Sequence, residues 1–303
     1  MRGSNPIEGL MGDPRLLTRV KIENYLLVHL GLRPCSQTTI PAELPGADAL
    51  GAAIDRRLSP HVGRVAAIAD PRRKLAAIGA VKRMMRAAFR EFVEASDQYR
   101  AHGEWAEALE LRSLRFEVRP TVQELYLFGD GGVGKRLKRL MKARVKLRRQ
   151  ALRRPSPDRG GVQLAFPEEF HGGWIREMGE LLGYPRCCVD RYADERERGI
   201  HVEERAARQL REAEQRGPVD PRAYFVGHFF PCAPDCEAAL SRGREFQERL
   251  REVEPRLDGL YASVVSENLS RVRRQPEIIA EYEARASEAR RRAASSLDPS
   301  SRT

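Results

Sequence analysis

Four of the five cysteines in this 303-residue chain stand in two short stretches. One is Gly183-Tyr184-Pro185-Arg186-Cys187-Cys188, the other His228-Phe229-Phe230-Pro231-Cys232-Ala233-Pro234-Asp235-Cys236. Both contain Pro-x-Cys, and an amphipathic helical pattern follows each. Proline suits the first helical position, where its missing N–H would have no partner. That reading puts Cys187 and Cys236 at third helical positions, Cys188 one step on and Cys232 just before the second helix. Unpaired N–H groups and the helix dipole favour negative charge there and stabilise thiolates. Four such sulfurs predict a metal or cluster held by Cys187, Cys188, Cys232 and Cys236.

The spacing is Cys-Cys, then 43 residues, then Cys-x-x-x-Cys. It lacks the two Cys-x-x-Cys knuckles of a zinc ribbon. Adjacent helical residues point about 100° apart, so neighbouring thiolates reach one tetrahedral ion only with strain. An iron–sulfur cluster offers a separate iron to each, which favours a cluster, with zinc as the alternative. His228, four residues before Cys232, is a candidate fifth ligand; His171 and His201 are further candidates. Three other readings compete: buried structural thiols, disulfides, and a thiolate nucleophile with His228 as its base. Disulfides are disfavoured in a cytoplasmic chain, the location expected here, because no apolar run of about 18 residues or signal-peptide layout is present. Cys35 stands apart and is expected to be a small buried hydrophobe.

The charge is concentrated. Between Val133 and Gly160 there are twelve bases and one acid, Asp158, an excess equal to the net charge of the whole chain, +11. A basic helix is expected over residues 133–152, with Val133, Leu137, Leu140, Met141, Leu147 and Ala151 as its apolar seam. Lys135, Arg136, Lys138, Arg139, Lys142, Arg144, Lys146, Arg148 and Arg149 are the candidate contacts to RNA, DNA or another polyanion. No aromatic residue lies among them, so base stacking is not indicated. Just before, Gly129-Asp130-Gly131-Gly132-Val133-Gly134-Lys135 has the spacing of a phosphate-binding loop. Arg136 stands where Ser or Thr should meet Mg²⁺, and no later strand supplies an Asp, so a glycine-rich turn is the simpler reading.

The elements that must position these groups read as mainly α with a small β element (α+β). Helical patterns cover residues 19–32, 47–58, 71–98, 104–111, 168–182, 188–198, 201–215, 238–253 and 257–272. In 71–98, Leu75, Ile78, Val81, Met85, Phe89 and Phe92 form one apolar stripe, expected in the core. Strands are expected within 115–128 and at 162–166. The Pro- and Gly-bearing run 153–161 reads as a linker, and Arg, Ala and Ser from about 286 as a disordered tail. The organisation expected is a mostly helical region 1–130, the glycine-rich turn, basic helix and linker 131–160, a helical Cys-rich domain 161–275, and a charged helix with tail 276–303.

The two cysteine stretches resemble an uncharacterised family of archaeal and some bacterial proteins, a domain of unknown function with a G-Y-P-x-C-C and H-x-P-C-x-x-x-C signature. The resemblance spans about residues 174–268, with Phe230 as an extra residue between the histidine and Pro231. It implies a shared cysteine site and no particular activity. Two functions are therefore expected to compete. In one, an iron–sulfur or zinc site is redox-active or catalytic and works on a nucleic acid or nucleotide held by the basic helix. In the other, a structural metal staples a non-enzymatic nucleic-acid-binding module.

Overall fold

The computed structural model describes residues 5–153, 163 and 165–295. The chain is mainly α-helical with one three-stranded antiparallel sheet. After α1 (Pro6–Gly12), helix α2 runs through Thr18–Val20, a π-helical stretch Lys21–Leu26, and Leu27–His29. Strand β1 (Cys35–Ile40) follows, then α3 (Ala47–Ala66), α4 (Pro71–Phe89, continued by a π-helical Arg90–Glu94) and α5 (Asp97–Ala108). Strands β2 (Arg112–Arg119) and β3 (Val122–Phe128) form a hairpin that leads into α6 (Gly131–Arg153). Beyond it lie α7 (Gly172–Leu181), α8 (Arg186–Glu197), α9 (Val202–Glu214), α10 (Glu237–Val253), α11 (Pro255–Arg273) and α12 (Gln275–Ser295).

The sheet order is β1-β3-β2, with Cys35 opposite Phe128 and Thr39 opposite Glu124. One face, carrying Cys35, Tyr126 and Phe128, packs on Leu137, Leu140 and Met141 of α6 and Met178 and Leu181 of α7. The other face gives Ile40, Leu125 and Leu127 to the main core. That core draws residues from both sides of residue 155. Ile22 and Leu26 of α2 share it with Phe225, Phe246, Tyr261 and Val264. Glu23 ties the same halves by polar bonds: it accepts from the Gly227 N–H (3.0 Å) and from Asn268 Nδ2 (2.7 Å).

Several expectations change. Strand β1 was not foreseen, because its sequence Cys-Ser-Gln-Thr-Thr-Ile is too polar to stand out. Its buried Ser36 and Thr38 are satisfied by Asn24: Ser36 donates to the Asn24 carbonyl (2.8 Å) and Asn24 Nδ2 to Thr38 Oγ1 (2.8 Å). The 47–58 helix continues through Pro60 to Ala66. The 71–98 helix breaks at Ser96, whose hydroxyl accepts the Tyr99 N–H as a cap. Gly103 then lies within α5 rather than interrupting it. The apolar stripe is core only at its far end: Phe89 is buried, while Leu75 is 71% exposed. The strand expected at 162–166 is not formed at residues 163 and 165, which are helical, and the linker falls almost wholly outside the described residues. Helix α12 continues past 286 to Ser295, and the tail beyond lies outside the described residues.

The glycine-rich run is not an open loop. Gly131 to Gly134 form the first turn of α6, and a Cβ on Gly134 would come within 2.6 Å of the Phe128 ring. Among the described residues no helix is long and apolar enough to cross a membrane.

His102 is fully buried. Its Nδ1 lies 2.8 Å from the Tyr25 hydroxyl, which in turn donates to the His102 carbonyl, and its Nε2 has no partner among the described residues. Burial, with the nearby Arg115 charge, pushes its pKa down to about 4. Between that value and the ordinary one near 6.5 the unfolded chain takes up a proton that the folded chain refuses, so stability falls as pH drops through this window. Denaturation at pH 7 and pH 5 should differ by roughly 1–2 kcal/mol more in the wild type than in His102→Gln. Equal pH dependence in the two proteins would remove this assignment.

Candidate metal centre

The two cysteine stretches are brought together by the packing beneath them. Helix α7 ends at Leu181 with Leu182 as its C-cap, and Gly183 takes the left-handed conformation (φ 75°) that reverses the chain. Its N–H donates to the Glu180 carbonyl and that of Tyr184 to the Gly179 carbonyl, closing the helix in a Schellman pattern. A Cβ there would also stand 2.9 Å from Pro34 Cδ, so only glycine serves both needs. The turn feeds Pro185, whose extended backbone makes it the N-cap of α8. Cys187 and Cys188 are then the second and third residues of that helix. On the other side, Cys236 is itself the N-cap of α10, and Pro234 lies in the preceding turn. The helices thus start one residue (Arg186) and three residues (Glu237) later than proline at the first helical position would imply.

Beneath the sulfurs lies an aromatic stack. The rings of Phe225 and Phe229 are 4.4 Å apart and those of Tyr184 and Phe229 5.0 Å, and Phe246 meets Phe225 edge-on at 5.6 Å. Cys188, Cys232 and Cys236 pack against this core. The loop carrying Cys232 makes few backbone bonds of its own, and two arginines hold it. Arg205 Nη1 donates to the Pro231 carbonyl (2.9 Å) and Arg191 Nη1 to that of Cys232 (2.7 Å). Both arginines also bind Glu195, whose carboxylate receives Arg191 Nε and Arg205 Nε at 2.9 Å each.

The result is a tight group of thiols. Cys187 and Cys188 Sγ are 3.9 Å apart, Cys187 and Cys236 3.7 Å, and Cys188 and Cys236 3.6 Å. With Cys232 included, the four sulfurs all lie within 4.8 Å of one another, close enough to bind one metal ion. The adjacent cysteines, expected to diverge by the helical rotation, instead bring their sulfurs to 3.9 Å of one another in the first turn of α8. Cys187 is exposed, Cys188 is buried, and the other two are half-buried.

The thiols differ electrostatically. Burial pushes Cys188 far up, despite the Cys232 N–H that donates to its sulfur (3.3 Å). Burial and the adjoining Cys236 thiol push Cys232 up to about 11. For Cys236, burial is outweighed by the Ala239 N–H and by the other three thiols, and its pKa is lowered. Cys236 thus favours the thiolate form more than an ordinary thiol does, while burial favours the protonated form at Cys188 and Cys232.

Residues 170–258 match the family described as a protein of unknown function, DUF483. All four cysteines lie within that segment, which covers less than a third of the chain. No curated protein and no solved structure matches the chain.

The histidines fall elsewhere. His228 Nε2 sits 3.3 Å from Glu43 Oε1, and the four-sulfur group includes no imidazole. His171 is the N-cap of α7, its Nδ1 accepting the Trp174 N–H, and His201 precedes α9. A thiolate–His228 nucleophile pair is thereby not formed. Cys35 is fully buried in β1, and burial raises its thiol to about 12, as expected of a core cysteine.

The basic helix is sorted by the fold. Arg144 is buried against Glu124 (2.6 Å), and Arg148 binds Glu168 and the Val118 carbonyl, so neither lies free on the outer face. Arg136 and Arg139 pair with Glu180 and Glu177 (3.1 and 3.5 Å) on α7. Lys135, Lys138, Lys142, Lys146 and Arg149 have no carboxylate partner among the described residues, and neither has Arg153, which the initial set of contacts omitted. The steps between these six, in threes and fours, place them on one stripe of the helix, roughly 27 Å long at 1.5 Å per residue. The four-residue step from Arg149 was the signal for Arg153. A groove runs beside the stripe, lined by Lys138, Lys142, Lys146, Arg149 and Arg153 with Phe116 opposite.

The Glu195–Arg205 pair, each about 5% exposed, is a direct test of how the site is held. Arg205→Met should lower unfolding stability by roughly 3 kcal/mol, because it leaves a buried carboxylate short of its charge. Glu195→Gln with Arg205→Met should cost less than Arg205→Met alone. Denaturant titration of the variants checks both, and a double variant as weak as the sum of the singles would contradict the pairing.

Proposed function

We propose that this protein is a zinc-stapled, non-enzymatic nucleic-acid-binding module. The observation that carries the metal half is the sulfur spacing. Four thiolates about 2.3 Å from one tetrahedral ion stand roughly 3.8 Å apart, and three of the separations here are 3.6, 3.7 and 3.9 Å. A [4Fe–4S] cluster puts each thiolate on a different iron and a [2Fe–2S] cluster divides the four between two irons, so either needs some sulfurs further apart than the 4.8 Å within which all four lie here. This favours zinc over the cluster that the adjacent cysteines first suggested. Four sulfur ligands leave no open position for substrate, which is the pattern of structural rather than catalytic zinc. The ion's work is then mechanical: it joins the start of α8 to the start of α10 through a loop that has little else to fix it.

The stripe of six unpaired bases on α6 supports the polyanion half. A cationic row of this length repels itself unless phosphates or counterions neutralise it. The stripe itself carries charge and no aromatic side chain, so its contacts are to backbone phosphates.

Elemental analysis of the purified protein should give one zinc per chain and no iron. Cys188→Ser and Cys236→Ser should lose the zinc, while Cys35→Ser retains it. Iron with sulfide in the wild type, or zinc retained by both variants, would sink the metal half. For the helix, binding of a duplex DNA and a single-stranded RNA should weaken with salt along a log–log slope approaching about −5 for six contacts on duplex. Neutralising Lys138, Lys142 and Lys146 together should reduce that slope by roughly 3. Salt-independent binding, or a slope unmoved by the triple change, would remove the polyanion half.

A further inference from the structure

A cavity of about 380 Å³ lies behind the sulfurs, with Cys188 in its wall. The zinc and polyanion readings make no use of it. Most of the charges around it are matched within the protein. Glu23 binds Arg19, Asn268 and the Gly227 N–H, and Glu124 binds Arg144. The two ends are different.

At one end is Arg33, which is 3% exposed. Its Nε donates to the Leu182 carbonyl (3.3 Å) and its Nη1 to the Glu23 carbonyl (2.9 Å). The Tyr184 ring lies 5.8 Å from the guanidinium carbon. No carboxylate pairs with it, and Nη2 has no hydrogen-bond acceptor, among the described residues. Burying a guanidinium against neutral carbonyls alone is costly. The carbonyls fix its orientation and leave its charge unanswered.

At the other end the imbalance is reversed. Glu169 and Glu203 share a single base, Arg196, at 3.2 and 3.8 Å. Leu182 follows the last residue of α7, and Glu169 stands three residues before its first, in the short 3₁₀ turn Pro167–Phe170. The ten residues of that helix span roughly 15 Å, so the surplus positive and surplus negative charges lie at opposite ends of one elongated space. One wall between them is apolar, with Trp174, Ile175, Met178, Val189 and Tyr192, and the other is polar, with Asn24, Gln37 and Thr39.

We infer that this cavity binds an elongated small molecule that carries a carboxylate or phosphate at one end, on Arg33, and an amino group at the other, on Glu169. The Arg33 fork is suited to either anion, because both accept parallel N–H donors. Glu169 selects for a donor or cation on the far end. The apolar wall takes the middle of the ligand, as in most small-molecule sites.

The chain has two tryptophans, so Trp105→Phe leaves Trp174, in the cavity wall, as the sole reporter. In that background, fluorescence is titrated with L-lysine and L-arginine for amino carboxylates, AMP and CMP for amino-bearing phosphates, and inorganic phosphate and putrescine for each end alone. At least one amino-bearing anion should saturate, and whether it is a carboxylate or a phosphate identifies the source. Phosphate and putrescine should bind at least tenfold more weakly. Arg33→Met should weaken the binding at least tenfold, and Arg33→Lys less. Glu169→Gln, at a half-exposed side chain, should reduce the preference for the amino-bearing ligand over phosphate. No saturable change with any probe up to millimolar concentration, or unchanged binding in folded Arg33→Lys and Glu169→Gln proteins, would overturn the inference. Zinc content and the salt slope are separate readouts, so failure here leaves those untouched.

Discussion

Four thiols within 4.8 Å of one another cannot all ionise unless a cation lies among them. That constraint governs the C-terminal half of the protein. With the thiols protonated, the loop from Pro231 to Cys236 is held by an arginine–carbonyl bond from each of α8 and α9 and by weak sulfur contacts to α8. With an ion present, the same sulfurs become charged ligands, and the starts of α8 and α10 are fixed to one point. The helix starts assist, because their free N–H groups favour the thiolate form. Metal affinity and local folding are therefore one quantity, rising with pH as the sulfurs lose their protons.

The site does not stand alone. The aromatic stack of Tyr184, Phe225, Phe229 and Phe246 lies directly beneath it and belongs to the core that α2 and the sheet also enter. Glu23 joins α2 to Gly227 and Asn268 on the same side. The cavity flanked by Arg33 and Glu169 is bounded by α8 and by residues 226–230, both adjacent to the cysteines. An ion at the sulfurs would thus set the position of two cavity walls. The basic stripe is mechanically separate: α6 is anchored by Leu137, Leu140 and Met141 on the sheet and by Arg144 on Glu124.

What the sequence made legible was periodic or chemically rare. The four cysteines could be grouped because cysteine is scarce and Pro-x-Cys recurs. The mainly α class followed from apolar spacing, and the terminus of α7 from Gly183. What stayed hidden depended on partners distant in sequence. Strand β1 carries polar inward residues that make sense only once Asn24 is opposite them. Arg144 and Arg148 looked like their exposed neighbours until Glu124 and Glu168 came across the fold. His228 was close to Cys232 in sequence, yet Glu43 claimed it. The choice between cluster and zinc rested on the direction of two adjacent side chains, which backbone periodicity does not determine. Arg33 and Glu169 were invisible as a pair because 136 positions separate their numbers while one helix separates them in space.

The central claim is that one tetrahedral ion is held by the four sulfurs, and cobalt substitution tests it most directly. Adding Co²⁺ to the metal-free, reduced protein should produce sulfur-to-cobalt charge-transfer bands and the intense visible bands of a tetrahedral site. These should reach their limit at one equivalent and be displaced by zinc. A pale octahedral spectrum, an end point at any other stoichiometry, or bands that persist at full strength in Cys188→Ser would contradict the account.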